Sequence, residues 1–220
     1  MHGQPGYYAP AGVFVCFEGG EGAGKSTQAQ ALEAWLRAAG YVVRLTHEPG
    51  DTEVGRRVRQ IVLDPATGDL SDRTETLLYA ADKAEHVDTV VLPALERGEV
   101  VITDRYVDSS LAYQGAGRAL DLAEVELVQR WATRDLRPHL TVVLDLAPEH
   151  GLGRFAERDR IEGESVEFHE RVRKAFVEMA SGDPDHYLVV DARRPVDDIA
   201  SDVRGRVEPL LGQAKREARS

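Results

Sequence analysis

Short, almost wholly apolar runs alternate along this chain with longer stretches in which apolar positions recur every three or four residues. Val13 to Phe17, Tyr41 to Thr46, Val100 to Thr103, Leu140 to Leu146 and Tyr187 to Val190 are the short runs, and each predicts a strand. A strand buried on one face alternates polar and apolar residues, whereas continuous apolarity predicts cover on both faces. Between the runs, Ala29, Leu32, Leu36 and Ala39 mark one helical stripe, and Leu77, Ala81, Ala84, Val87 and Val91 mark another. Buried strands alternating with amphipathic helices predict an α/β fold: one doubly wound parallel sheet of five strands with helices on both faces.

Composition narrows this to a single unit. The 220 residues are 42% hydrophobic, enough for one sizeable core, and no repeat or long low-complexity linker divides them. Residues 13–212 are expected to form one domain. Residues 1–12 mix Gly, Pro and Gln in a way that supports no regular element and predict a loose leader; residues 213–220 are expected to form a tail. A formal net charge of -11 argues against nucleic-acid polymers or anionic membranes as partners, because both need a basic field. No apolar stretch approaches the roughly 18 residues of a membrane span, so a soluble cytoplasmic chain is expected. The single cysteine, Cys16, lies in the first strand and predicts a buried, inert thiol.

The chemistry begins where the first strand ends. Gly19-Gly20-Glu21-Gly22-Ala23-Gly24-Lys25-Ser26 fits the phosphate-loop spacing G-x-x-x-x-G-K-[ST], with Thr27 following, directly after an apolar run and at the start of a helical pattern. The glycines let backbone amides turn inward on an anion, Lys25 adds a mobile charge, and the Ser26 hydroxyl is placed to ligate Mg²⁺. Glu21 is anomalous, because an acid among phosphates opposes binding unless it has its own partner, such as a sugar hydroxyl. In parallel sheets ligands gather at the carboxyl ends of the strands. There the second strand is followed by His47-Glu48-Pro49-Gly50-Asp51-Thr52 and the third by Asp104-Arg105-Tyr106. Asp104 reads either as a carboxylate orienting Mg²⁺ or as a helix cap. Arg105 reads either as a bridge between donor and acceptor phosphates or as a surface ion pair.

The run Asp104-Arg105-Tyr106-Val107-Asp108-Ser109-Ser110-Leu111-Ala112-Tyr113-Gln114-Gly115, with Glu18 to Thr27 and Glu48-Pro49-Gly50, resembles bacterial thymidylate kinases, members of the phosphate-loop nucleoside monophosphate kinases. The likeness spans about residues 13–212. It implies a phosphate-loop kinase fold with a helical lid at about 150–165, and transfer of the ATP γ-phosphoryl group to thymidine 5′-monophosphate on the way to dTTP and DNA precursors. By resemblance, Gly19 to Thr27 cradle ATP, Ser26 and Asp104 hold Mg²⁺, and Glu21 meets the acceptor 3′-hydroxyl. Arg59 and Arg105 bind the acceptor phosphate, with Glu48 beside them. Tyr79 stacks on the base, Ser110 and Gln114 read its edge, and Tyr113 crowds the 2′ position. The phosphate loop carries no arginine, so lid arginines are implied to complete the catalytic set of Lys25, Arg105, Arg158 and Arg160; Arg154 lies in the same cluster. A homodimer is implied by the same likeness.

Taken singly, these residues have ordinary explanations: Tyr79 as core, Arg59 as a solvated helix charge, Gln114-Gly115 as a turn. The chain also departs from the family. His47 and Asp51 stand where relatives often carry arginine and a second glycine, and Lys83 stands at the position of the base-contacting arginine. Lysine cannot reproduce a planar fork, which predicts altered base selection with activity retained. His47 is given no role. Two rival readings remain: a deoxynucleoside kinase in which Glu48 deprotonates a 5′-hydroxyl, and a nucleotide-gated binding module, although the Asn-Lys-x-Asp reader of guanine switches is lacking.

Overall fold

Every residue of Val13–Gly19 (β1) is buried, and this strand forms the middle of the sheet. It pairs in parallel with Val100–Asp104 (β3) on one side and Leu140–Asp145 (β4) on the other. Val43–His47 (β2) adds outside β3 and Tyr187–Asp191 (β5) outside β4, giving the order β2-β3-β1-β4-β5. The structure, a computed structural model, describes residues 6–153 and 159–214. The five predicted runs are the five strands. Their ends shift by a residue or two: Tyr41 follows the turn at Gly40 and precedes β2 instead of opening it, β1, β2, β3 and β5 run on to Gly19, His47, Asp104 and Asp191, and β4 stops at Asp145 before Leu146.

Period-two geometry divides β1 between two cores. Val13, Val15 and Phe17 join a cluster with Leu32 and Leu36 of α1 (Lys25–Ala38), on the side also covered by Ile199 and Val203. Phe14 and Cys16 point the other way, into a cluster with Leu95, Val101 and Tyr106. Farther along that second face, Val143 packs with Phe168, Val172 and Phe176. The helices are therefore on both faces, as the strand patterns require. Besides α1 they are α2 (Glu53–Leu63), α3 (Asp72–His86), α4 (Leu92–Glu96), α5 (Val107–Ser110), α6 (Leu122–Ala132), α7 (Pro148–Leu152), α8 (Val166–Gly182) and α9 (Val196–Val207).

The second predicted stripe faces the wrong way. Leu77 is 59% exposed and Ala81 is also exposed, while α3 buries Glu75, Thr76, Ala80, Asp82, Lys83 and His86. Only Val87 and Val91 of that stripe are buried, and they lie in a wider π turn, Val87–Val91, which rotates the face after α3 ends. Apolar periodicity misplaces this helix because its inner side is a polar site.

The leader also differs from the expected loose segment. From Gly6 onward it is docked: Tyr7 N–H donates to the Asp135 carbonyl at 2.9 Å and Arg137 N–H to the Tyr7 carbonyl at 2.8 Å. The Tyr8 ring stacks on His186, centroids 4.8 Å apart, and Ala9 is buried. Gly and Pro prevent a regular element here without preventing side-chain docking. Among the described residues no helix is long and apolar enough to cross a membrane.

Candidate active site

Parallel register brings three strand ends to one edge, with Phe17 level with Asp104 and Asp104 level with His47. From β1 the chain turns through the loop into α1, whose N-cap is Gly24 at φ 93° with no side-chain cap. The first amides of α1 are thus left facing outward, the arrangement that binds anions. Gly22 has φ +66°, and a Cβ there would lie 2.6 Å from the Gly151 carbonyl oxygen, so α7 fixes the loop from behind. Lys25 is buried along the loop, its Nζ donating to the carbonyls of Gly20 at 2.8 Å and Gly19 at 3.2 Å. Ser26 Oγ donates to Asp104 Oδ2 at 2.5 Å.

Glu21 and Arg105 form the junction of the site. Arg105 Nη2 donates to Glu21 Oε1 at 2.6 Å, and the Tyr113 hydroxyl donates to the same oxygen at 2.7 Å. The guanidinium lies 5.0 Å from the Tyr113 ring centre. Burial alone would push the Glu21 carboxyl up, but Arg105 and Lys25 outweigh it and bring it down to about 2. Arg105 has φ 73°, a left-handed conformation uncommon for a side-chain-bearing residue. Its loop is held by Glu18, which accepts from Tyr106 N–H at 2.8 Å, Ser109 N–H at 3.1 Å and Ser109 Oγ at 2.6 Å. Ser109 Oγ in turn accepts from Arg105 Nη1 at 3.2 Å. Burial, with Asp108 nearby, pushes the Glu18 carboxyl up to about 7.

Two cavities meet at this junction. One follows the phosphate loop from Glu21 to Thr27 and reaches Asp104. The other is lined by Tyr79, Lys83, Ser110, Tyr113 and Gln114. Glu21, Glu48, Arg59 and Arg105 border both. Arg59 is steered there by donating to the Pro49 carbonyl at 2.9 Å, after the cis bond between Glu48 and Pro49. Lys83 is 2% exposed, 3.5 Å from Glu48 Oε2 and 5.6 Å from the Tyr79 ring centre. His86 completes the support of Glu48, with Nδ1 2.6 Å from Oε1 and Nε2 2.6 Å from Thr46 Oγ1. Among the described residues Ser110 Oγ is buried without a hydrogen-bond partner at the cavity wall. A buried polar atom so placed is suited to a polar ligand.

His47 lines the phosphate-loop cavity, whereas Asp51 lines neither cavity. Arg44 donates to Asp51 at 2.8 Å, and His47 Nδ1 lies 3.8 Å from it, so the substituted turn is pinned by a partly exposed ion pair. Of the lid residues, Arg154 and Arg158 lie outside the described residues. Arg160 is described and does not face the phosphate loop: its Nε donates to the Val62 carbonyl at 2.8 Å and its Nη2 to Glu75. A buried carboxylate on α3 captures it. Nothing in the sequence alone marks Glu75, Glu18, Ser109 or His86 as part of the site. A charge within Asp72-Arg73-Thr74-Glu75-Thr76 reads as a solvated helix face, and Glu18 reads as the polar end of a strand.

The family model for thymidylate kinase matches residues 17–203. Relatives named thymidylate kinase include one from Cutibacterium acnes, 52% identical over 92% of this chain and 99% of its own. Another, from Leifsonia xyli, is 52% identical over 90% of this chain and 95% of its own. A third, from Deinococcus radiodurans, is 51% identical over 87% of this chain and 94% of its own. With a family match across most of its length and a sheet edge built as a phosphate-loop site, this chain belongs to the thymidylate kinase family.

Proposed function

We propose that this chain transfers the γ-phosphoryl group of ATP to the 5′-phosphate of thymidine monophosphate, in the cytoplasm. The observation that carries this reading is that the two cavities share Arg105 and Glu21 at their meeting point. The phosphate-loop cavity takes the donor and the cavity of Tyr79, Lys83 and Gln114 takes the acceptor. A phosphate monoester has a second pKa of about 6 and is already largely dianionic at neutral pH, so no strong base is needed. Catalysis then consists of alignment and charge neutralisation. Lys25 leaves the carbonyls of Gly19 and Gly20 for the donor phosphates, and Arg105 spans donor and acceptor. Glu21, ionised between Arg105 and the Tyr113 hydroxyl, orients the guanidinium and offers an acceptor to the sugar 3′-hydroxyl. Tyr113, buried against the same carboxylate, leaves little room for a 2′-hydroxyl.

Mg²⁺ fits this edge. The adjacent Ser26 hydroxyl and Asp104 carboxylate are hard oxygen donors beside the loop, and among the described residues no group of three or more His, Cys, Asp or Glu gathers to make a protein-only cage. Ser26 and Asp104 would hold it together with the nucleotide phosphates. When bound, the ion neutralises charge on the transferring group. Arg160, committed to Glu75 and Val62, we assign to anchoring the lid segment.

The test is ADP release from Mg-ATP with thymidylate, deoxyuridylate, deoxycytidylate, deoxyguanylate and thymidine offered separately. Fast turnover is expected with thymidylate, with deoxyuridylate trailing. Turnover with thymidine would shift the case to Glu48 as a base, and acceptor-independent hydrolysis would leave a binding module.

We further propose a homodimer. Leu77 on α3 and Leu127 and Trp131 on α6 are 59%, 70% and 84% exposed, and Ile61 on the adjacent α2 is 41% exposed. Large apolar side chains on three packed helices favour a second copy. The double variant Leu127→Glu, Trp131→Glu is expected to reduce the mass in light scattering from two chains to one. A wild-type chain that already runs as a single chain removes the dimer.

A further inference from the structure

Glu75 lies on the inner side of α3 with no exposed surface. Arg118 donates to it from Nε at 3.2 Å and Nη2 at 3.1 Å, Arg160 donates from Nη2, and Gln114 Nε2 donates at 2.9 Å. Burial pushes the Glu75 carboxyl up, but these hydrogen bonds outweigh it and leave the group ionised, below its ordinary value. An ionised carboxylate only accepts. The side-chain NH₂ of Gln114 is therefore drawn to Glu75, and the Gln114 carbonyl oxygen is the end left for the cavity that Gln114 lines. Among the described residues no protein donor meets that oxygen.

We propose that Glu75 is a positioning residue for acceptor selection. By holding the NH₂ of Gln114, it presents a fixed acceptor that admits a base carrying N–H at that edge and refuses one with a bare ring nitrogen. This rests on the reading that Gln114 meets the base. Thymine and uracil carry the N3–H donor; cytosine has an acceptor there, which would face an oxygen and leave two lone pairs opposed. The same carboxylate ties α3 to the lid side, because Arg160 donates to it and Arg118, which also donates to it, pairs with Glu164; Arg160 N–H further donates to the Leu63 carbonyl at the end of α2 at 3.0 Å. Base reading and the seating of residues 159–164 thus share one anchor.

The experiment compares kcat/KM for thymidylate and deoxycytidylate in wild type, Glu75→Gln and Gln114→Leu. A neutral amide at position 75 lets Gln114 turn over and offer NH₂ to the cytosine ring nitrogen, so the thymidylate preference should fall about tenfold in Glu75→Gln. Loss of packing alone would lower both acceptors and leave the ratio unchanged. An unchanged ratio in Glu75→Gln with a collapsed ratio in Gln114→Leu overturns the role of Glu75 alone. An unchanged ratio in Gln114→Leu removes the underlying reading of Gln114. Should Glu75→Gln fail to fold, the wild-type chain still decides: the ¹⁵N side-chain amide signal that disappears in Gln114→Leu should exchange slowly with water, and fast exchange overturns the proposal.

Discussion

Lys25→Met is expected to lower turnover about a thousandfold while the protein stays folded. Among the described residues the ammonium group donates to the backbone of its own loop, the carbonyls of Gly19 and Gly20, and the side chain is buried. Methionine keeps the apolar stem and removes the charge, so the packing around the loop survives. What disappears is a positive group positioned where charge develops on the transferring phosphoryl, and removal of one such preorganised donor costs about 10²–10³ in kcat. Burial and neighbouring Arg105 already depress the Lys25 ammonium, against Glu21 and Asp104, so the site holds this cation at a cost. That cost fits a group kept for an anionic ligand better than one kept for stability. Single-turnover ADP release, with the melting temperature measured alongside, separates the two. Near-normal turnover would detach the phosphate loop from the chemistry.

Legibility in the sequence followed the physics of each element. The strands could be read because a parallel strand covered on both faces carries a continuous apolar run, as 13–17 and 100–102 do. The phosphate loop could be read because its glycines, Lys25 and Ser26 must stand at fixed offsets along one short segment. Helix α3 misleads for the converse reason. Its inner face carries Glu75, Asp82, Lys83 and His86, so its apolar residues were left outside. Glu75 had no local mark at all, since Gln114, Arg118 and Arg160 meet it from 39, 43 and 85 residues away. In sequence Arg160 reads toward ATP because its neighbours fit a lid; only the fold shows the carboxylate that captures it. Tyr79, Lys83, Ser110 and Gln114, weak singly, line one cavity.

Removing the Arg105 guanidinium should be at least as damaging to catalysis and should also change how stability depends on pH. Arg105→Met leaves the backbone strain untouched, because both side chains carry a Cβ at the same left-handed φ of 73°. The difference between the proteins therefore reports the guanidinium. An arginine bridging the transferring group contributes about 10³–10⁵ in rate in related systems, so turnover should fall by about 10³ or more. In wild type, Glu21 sits at about 2, below its ordinary value of 4.5, mainly because Arg105 outweighs its burial. A carboxyl lowered by folding stabilises the native state above its unfolded pKa, and that contribution is lost as pH falls from about 4.5 towards 2. Its full size is on the order of 3 kcal/mol. Without Arg105 the strongest group holding the Glu21 carboxyl down is gone, leaving Lys25 and the Tyr113 hydroxyl against its burial, so the carboxyl moves back up and the stabilisation its ionised form gives at neutral pH shrinks. Calorimetry at pH 7 and pH 4 should accordingly show a stability deficit of Arg105→Met that is larger at pH 7 and smaller at pH 4. A deficit independent of pH would mean that Arg105 holds the loop by packing alone, and that Glu21 is not the partner it keeps charged.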